Sequence, residues 1–281
     1  MVAPGDRLHE DAAVEPDPRT PAAIYDRTVT ASVARIWENV LDWEHLPWLH
    51  RTSFGAVRLL DESPVGWRGW ITTRSRRPLE SLVDVCLDRP ALRYLTRTVE
   101  GEGAGTEIWT TLEPAGARAT SIHVEFAFPG LDPEQAEAIG RAYVHLYTRL
   151  WDEDEAMMVR RQTLLDEGTG RPPATGPGGE AISLGSIADL KVRLPLVLRA
   201  GGRELRLIEI DGEIYAHPTV CPHLGGPLVE AAIADGCVIC PWHGYRYEVR
   251  SGRCVSGPPL HLGRVPRVRI DLERGEAALE W

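Results

Sequence analysis

Residues 221–226, Cys-Pro-His-Leu-Gly-Gly, and 240–245, Cys-Pro-Trp-His-Gly-Tyr, set the frame for the whole chain. Together they read C-x-H, sixteen residues, then C-x-x-H. Each short loop contributes one thiol and one imidazole. A structural zinc site usually takes its cysteines from one half-site and its histidines from the other. A two-iron cluster with cysteines on one iron and histidines on the other needs the mixed order found here. Pro222 and Pro241 stiffen the loops, and Gly225 and Gly226 suit tight turns.

The stretch CPHLGGPL…CVICPWHGYRYEVRSGRCVSGPP resembles the Rieske 2Fe-2S domain. The resemblance implies that Cys221 and Cys240 hold one iron, and His223 and His243 the other. Respiratory Rieske proteins carry one extra Cys in each loop. Here those positions are Gly226 and Trp242, and Tyr245 stands where that class has a serine. Fewer hydrogen bonds to the sulfurs imply the low end of the Rieske range, about −150 mV. Such a potential suits an electron supply to an oxygenase.

The composition sets bounds. With 281 residues and 43% hydrophobic, the chain is long enough for two modest cores. No run of 18 apolar residues occurs, so no membrane span is expected. Residues 1–20 are polar and acidic and read as a disordered tail. Beyond the two cluster cysteines, Cys86, Cys237 and Cys254 form an odd remainder, which points to a reducing cytoplasm. Cys237-x-x-Cys240 mimics a redox pair, but an offset of three on a strand faces opposite sides, so Cys237 reads as a core residue. The net charge of −10 lies wholly outside residues 181–281 and does not suit a nucleic-acid backbone.

Along the chain, residues 22–31 read as a strand and 32–50 as a helical pair bent at Pro47. Six strands follow near 54–61, 66–75, 79–87, 91–99, 106–113 and 120–128. Asp132-Pro133 opens a long helix that runs to about 166, with Asp132 as N-cap. This order, an α+β fold, resembles the helix-grip fold of the START-like superfamily. The resemblance implies a curved antiparallel sheet around the long helix, with an apolar cavity between them. The expected organisation is a tail at 1–20, a START-like domain at 21–166, a flexible linker at 167–180 and an all-β Rieske domain at 181–281.

A second metal site is suggested by Asp42-x-x-His45-x-x-x-x-His50. Two histidines and a carboxylate hold a ferrous ion while leaving a face open to dioxygen. ENVLDWEHLPWLH resembles the iron-binding segment of Rieske non-haem iron oxygenases. The resemblance maps His45 and His50 onto iron ligands, and Asp42 onto the aspartate that bridges toward the Rieske histidine. Asn39 maps onto a nearby asparagine. For the third ligand, Asp152, Asp154 and Glu155 are candidates. Position 154 falls on the apolar stripe Ile139, Tyr143, Tyr147, Leu150 and Met157, whereas Asp152 and Glu155 share the polar side. A carboxylate on a buried stripe is costly unless paired or metal-bound. The bland alternative is an ion pair with Arg161.

These resemblances imply a Rieske non-haem iron oxygenase with a 2Fe-2S cluster and a mononuclear Fe(II), the domain order being reversed from that usual in the family. The implied reaction is hydroxylation or oxidative demethylation of a small, largely apolar substrate with dioxygen. A separate ferredoxin or flavin reductase would donate electrons, and a trimer is the family's common assembly. Candidate wall residues are Trp67, Trp70, Trp109, Phe126, Phe128, Tyr143 and Tyr147. Arg74, Arg76 and Arg77 are candidates for an acidic substrate group, set against an ordinary solvated patch. Two rival readings remain: an electron carrier fused to a START-like binding module, and a cyclase or hydrolase using His45 or His50 as a base.

Overall fold

A computed structural model describes residues 21–128, 130–168 and 181–281. The expected tail at 1–20, and all but the first two residues of the expected linker, lie outside the described residues. The chain folds as two compact units, the first ending at Gln162 and the second starting at Thr163. Among the described residues, no helix is long and apolar enough to cross a membrane.

The first unit begins with β1 (Ala23–Val29) and α1 (Val33–Leu41). Ser32 caps α1, its hydroxyl accepting from the Arg35 amide. A 3₁₀ turn (Trp43–His45) and the single-turn α2 (Leu46–Leu49) complete the expected helical pair. The bend falls at Asp42 (φ −84°, ψ 71°), not at Pro47. Pro47 lies in the first turn of α2, where a missing amide costs nothing.

Six strands then run as a meander: β2 (Phe54–Ser63), β3 (Gly66–Thr73), β4 (Glu80–Asp88), β5 (Arg93–Gly101), β6 (Glu107–Gly116) and β7 (Ala119–Ala127). With β1 they make one antiparallel sheet, in the order β1-β7-β6-β5-β4-β3-β2. The long α3 (Pro133–Asp166) follows, its start capped by Asp132, which accepts from the Gln135 amide at 2.9 Å. Strand alternation sends Val83, Val85, Ile108, Val124 and Phe126 to the face that packs with Trp151 and Met158 of α3. This is the α+β architecture expected: a long helix packed on an antiparallel sheet.

The opposite face of the sheet is less ordinary. Arg68 and Asp84, directly paired in register, are 1% and 5% exposed. Their side chains form two parallel hydrogen bonds of 2.6 and 2.7 Å.

The second unit carries β8 (Ile182–Ser186), the short helix α4 (Ile187–Arg193), β9 (Leu196–Ala200), β10 (Arg203–Ile210) and β11 (Glu213–Pro218). It continues with β12 (Ile233–Ala234), β13 (Cys237–Ile239), β14 (Arg246–Glu248), β15 (Arg267–Asp271) and β16 (Glu276–Glu280). These make a six-stranded sheet and a three-stranded sheet, β12-β13-β14. The unit is thus β-rich rather than all-β, α4 being the exception. Cys237 is buried, as expected of a core residue.

Candidate metal centres

The two Cys-His loops repeat one hydrogen-bonding scheme. The Cys221 amide donates to Gly226 O, and Cys221 O accepts from the Gly225 amide. In the second loop, which joins β13 to β14, the Cys240 amide donates to Tyr245 O and Cys240 O accepts from Gly244. Gly225 and Gly244 have φ of 87° and 66°, a region that favours glycine. Gly226 has a different reason. A Cβ there would lie 2.6 Å from Cys240 Sγ, so only glycine leaves room for the sulfur.

This scheme brings all four expected ligands together. Cys221 and Cys240 are fully buried, and His243 is 4% exposed. His223 is half-buried. The Nδ1 atoms of His223 and His243 lie 3.3 Å apart, with ring centroids 4.5 Å apart. The two thiols hydrogen-bond to each other. That bond pushes the Cys240 pKa down and the Cys221 pKa up. Two sulfurs on one side, two converging imidazole nitrogens on the other and a glycine between the loops fit a 2Fe-2S cluster.

Tyr247 is a functional residue that the sequence reading did not single out. Its hydroxyl lies 3.2 Å from Cys221 Sγ, and the residue is fully buried. Burial, then the nearby Cys221, push its pKa far up, so it stays protonated. The sequence signal was available: Tyr247 is two residues beyond Tyr245 on the same strand side.

In the first unit, the bend at Asp42 turns His45 inward, and His50 ends α2 facing the same point. Their ring centroids are 5.1 Å apart. Asp154 of α3 meets both: its Oδ1 is 3.4 Å from His45 Nε2 and 3.1 Å from His50 Nε2. One potential ligand atom from each of the three lies within 4.8 Å of the others. Both histidines are buried, and the Asp154 side chain is 13% exposed.

The surrounding groups orient this trio. Asn39 Nδ2 donates to Asp154 Oδ1 at 3.0 Å. His50 Nδ1 is bonded to Glu153 Oε2 at 2.6 Å, so its Nε2 is left as the inward-facing atom. His45 Nδ1 is buried without a hydrogen bond, with Asp42 Oδ2 3.6 Å away. Burial pushes the His50 pKa down, but Asp154 and Glu153 outweigh it and the net shift is up. Burial likewise raises Asp154, and the bond and charge of His50, the charge of His45 and the bond from Asn39 bring the net shift down. Two Nε2 atoms converging on one carboxylate oxygen fit a divalent metal held by two histidines and an aspartate.

The rival carboxylates have other work. Asp152 and Glu155 both bind Arg27, at 2.6 and 2.5 Å, tying β1 to α3. Arg161 faces Glu38 at 3.6 Å, not Asp154. Glu153 was missed by sequence reasoning. Its neighbours in the run Asp152-Glu153-Asp154-Glu155 are all acidic, so composition gives it no separate signal.

The trio lines a cavity of about 150 Å³, whose other walls include Trp43, Phe54, Trp67, Val83, Tyr94 and Tyr147. Of the expected wall residues, Trp67 and Tyr147 line it. Phe126, Phe128 and Tyr143 instead pack within the core cluster. Trp70 and Trp109 face the other side of the sheet: Trp70 sits three residues from Trp67, and Trp109 lies beside inward-facing Ile108.

Comparison with known proteins gives the following. Residues 180–267 match the Rieske [2Fe-2S] domain family. Apoptosis-inducing factor 3 of Homo sapiens is 34% identical over 74 residues, covering 26% of this chain and 12% of that protein. Cholesterol 7-desaturase nvd of Hemicentrotus pulcherrimus is 40% identical over 55 residues, covering 19% and 12%. The ferredoxin component of the naphthalene 1,2-dioxygenase system of Pseudomonas putida is 32% identical over 92 residues, covering 33% and 86%. This chain therefore spans 12% of the length of the first two relatives. Among solved structures, the ZhuI aromatase/cyclase from Streptomyces sp. R1128 aligns with a TM-score of 0.42 at 14% identity, over 50% of this chain and 93% of that one.

Proposed function

The chain belongs to the Rieske [2Fe-2S] family through residues 180–267, with a 2Fe-2S cluster as its cofactor, and from that premise we propose that it is a Rieske-type non-haem iron oxygenase. In this reading it hydroxylates or oxidatively demethylates a small, largely apolar substrate with dioxygen. A separate ferredoxin or flavin reductase supplies the electrons.

The observation that carries the proposal is the trio His45, His50 and Asp154 at the wall of an apolar cavity. An electron-carrying domain alone has no use for a second three-ligand site. Iron held there would supply the dioxygen chemistry. Around it, Glu153 fixes the His50 tautomer, Asn39 holds one Asp154 oxygen, and Asp42 faces the outer nitrogen of His45. The apolar walls orient the substrate and exclude water. In the second unit, Cys221 and Cys240 serve as the sulfur ligands, and His223 and His243 as the nitrogen ligands. The half-buried His223 offers the more accessible edge for electron entry.

One observation favours a second reading. The ferredoxin component above is matched over most of its length, which suits an electron carrier fused to a binding module. Iron and acid-labile sulfide, measured per chain on anaerobically purified protein, separate the two. The oxygenase requires about three irons per two sulfides, falling to about two in His45→Ala. A wild type with only the cluster's iron, after anaerobic Fe(II) reconstitution, would leave the carrier.

A further inference from the structure

We propose that the cavity takes a compact, single-ring carboxylate, with its ring inside and its acid group held by an arginine collar around Ser53. This rests on the cavity being the substrate site of the oxygenase reading.

Size comes first. An apolar cavity of roughly 150 Å³ takes up a benzene-sized molecule and no more, and that is the volume beside the trio. A fused-ring or sterol body exceeds that volume. The cavity is also not closed: its lining residues Phe54, Ile71 and Leu150 are partly exposed.

Charge comes next. Ser53 lies between the ligand His50 and the lining residue Phe54. Its carbonyl accepts from the Arg74 amide at 2.8 Å, and its hydroxyl accepts from the Arg149 guanidinium at 2.9 Å. Arg51 flanks it in sequence, and Arg76 and Arg77 follow Arg74 in the β3–β4 loop, three residues beyond Ile71. All five arginines are exposed, and none is ion-paired with a described residue. Of the other arginines in this unit, Arg27, Arg35, Arg68, Arg93, Arg97, Arg141 and Arg161 each face a carboxylate, while Arg58 and Arg89 lie over the rings of Trp70 and Trp37. Arg149 reaches Ser53 with its side chain and Arg74 with its backbone, with Arg51, Arg76 and Arg77 close in sequence, and in a chain of net charge −10 such a cluster next to the lining residues Phe54 and Leu150 attracts an anion. Guanidinium groups bind carboxylates in a two-pronged geometry. The side chains of Asp42 and Asp154 line the inner end, and the arginines lie at the outer edge, so the acid group is held at the rim and the ring enters.

The test is calorimetric titration of the full-length protein with benzoate, benzyl alcohol and 2-naphthoate, at low and high salt. Benzoate should bind roughly fivefold or more tightly than benzyl alcohol, and the advantage should shrink with salt. Arg74→Ala and Arg149→Ala should each reduce that advantage, whereas Arg141→Ala, on an exposed pair with Glu137, should leave it intact. 2-Naphthoate should bind more weakly than benzoate. Equal binding of benzoate and benzyl alcohol, or an advantage untouched by Arg74→Ala and Arg149→Ala together, overturns the collar. Tighter binding of 2-naphthoate overturns the size limit. Binding is read without turnover, so an iron count that refutes the oxygenase leaves this result standing, and failure here leaves the iron count standing.

Discussion

Tyr247→Phe should lower the reduction potential of the cluster by about 40 mV. The perturbation removes one oxygen atom, the hydroxyl 3.2 Å from Cys221 Sγ. A coordinated cysteine is a thiolate, so the phenol is the donor in this bond. Reduction adds one negative charge to the cluster, and a hydrogen bond to the sulfur strengthens as that charge grows. The gain favours the reduced state. A buried hydrogen bond contributes about 1 kcal/mol net, and somewhat more toward a charged acceptor. Taking the gain on reduction as about 1 kcal/mol, and about 59 mV per 1.4 kcal/mol for one electron, the shift is about 40 mV. The phenol stays protonated because burial and the neighbouring sulfur hold its pKa far up, so the effect should persist through neutral and alkaline pH. Protein-film voltammetry on the full-length protein gives the potential, and visible circular dichroism confirms that the cluster is intact. A change of less than about 10 mV, or an increase, would refute the reasoning.

Removing the Glu153 carboxylate with Glu153→Ala should weaken Fe(II) or Co(II) binding at the trio by about 10–100-fold, with the visible spectrum of the cluster unchanged; anaerobic metal titration reads it, and unaltered affinity would rule out an orienting role. His217 is fully buried, its Nδ1 donating to Pro218 O at 2.9 Å, and burial lowers its pKa to about 4. The unfolded chain takes up this proton near pH 6.5 and the folded one does not, so stability present above pH 6.5 is lost on acidification, by about 2 kcal/mol at pH 5. His217→Leu should therefore flatten the fall in Tm between pH 7 and pH 5, and an unchanged slope would assign the loss to other groups. Asp84→Leu removes the carboxylate that holds the buried Arg68 guanidinium by two hydrogen bonds and should cost about 3–5 kcal/mol in urea unfolding, most of it recovered in Arg68→Met/Asp84→Leu; a double variant no better than the single would show that the pair is not the source.

The Rieske loops were legible because their determinants are local. Ligand, proline and turn glycine all fall within six residues, and the backbone bonds that shape each loop close within the same span. Asp154 was legible for a different reason: helical periodicity places it on the same stripe as Tyr147 and Leu150, and both of those line the cavity. The bend was misplaced because Pro47 is a helix breaker in an interior and a helix starter in a first turn. Sequence alone does not say which turn it occupies.

The misplacement of Trp70 and Trp109 has one cause, the strand period of two. Trp67 and Trp70 cannot both face the cavity, by the rule that separates Cys237 from Cys240. Applied to every strand, that rule would have sent Trp70 and Trp109 outward before any coordinates. It would not have revealed Arg68 and Asp84. They also point outward, where charge is ordinary, and nothing in their own strands marks them as buried. Their burial depends on neighbours across the sheet, as does the bond from Glu153 to His50, which joins residues 103 apart. Side-chain direction is thus written in the local pattern. Whether that direction leads to water, to a partner or to a metal is decided by tertiary neighbours, and Glu153, one acidic residue in a run of four, is the orienting residue that the local pattern left unmarked.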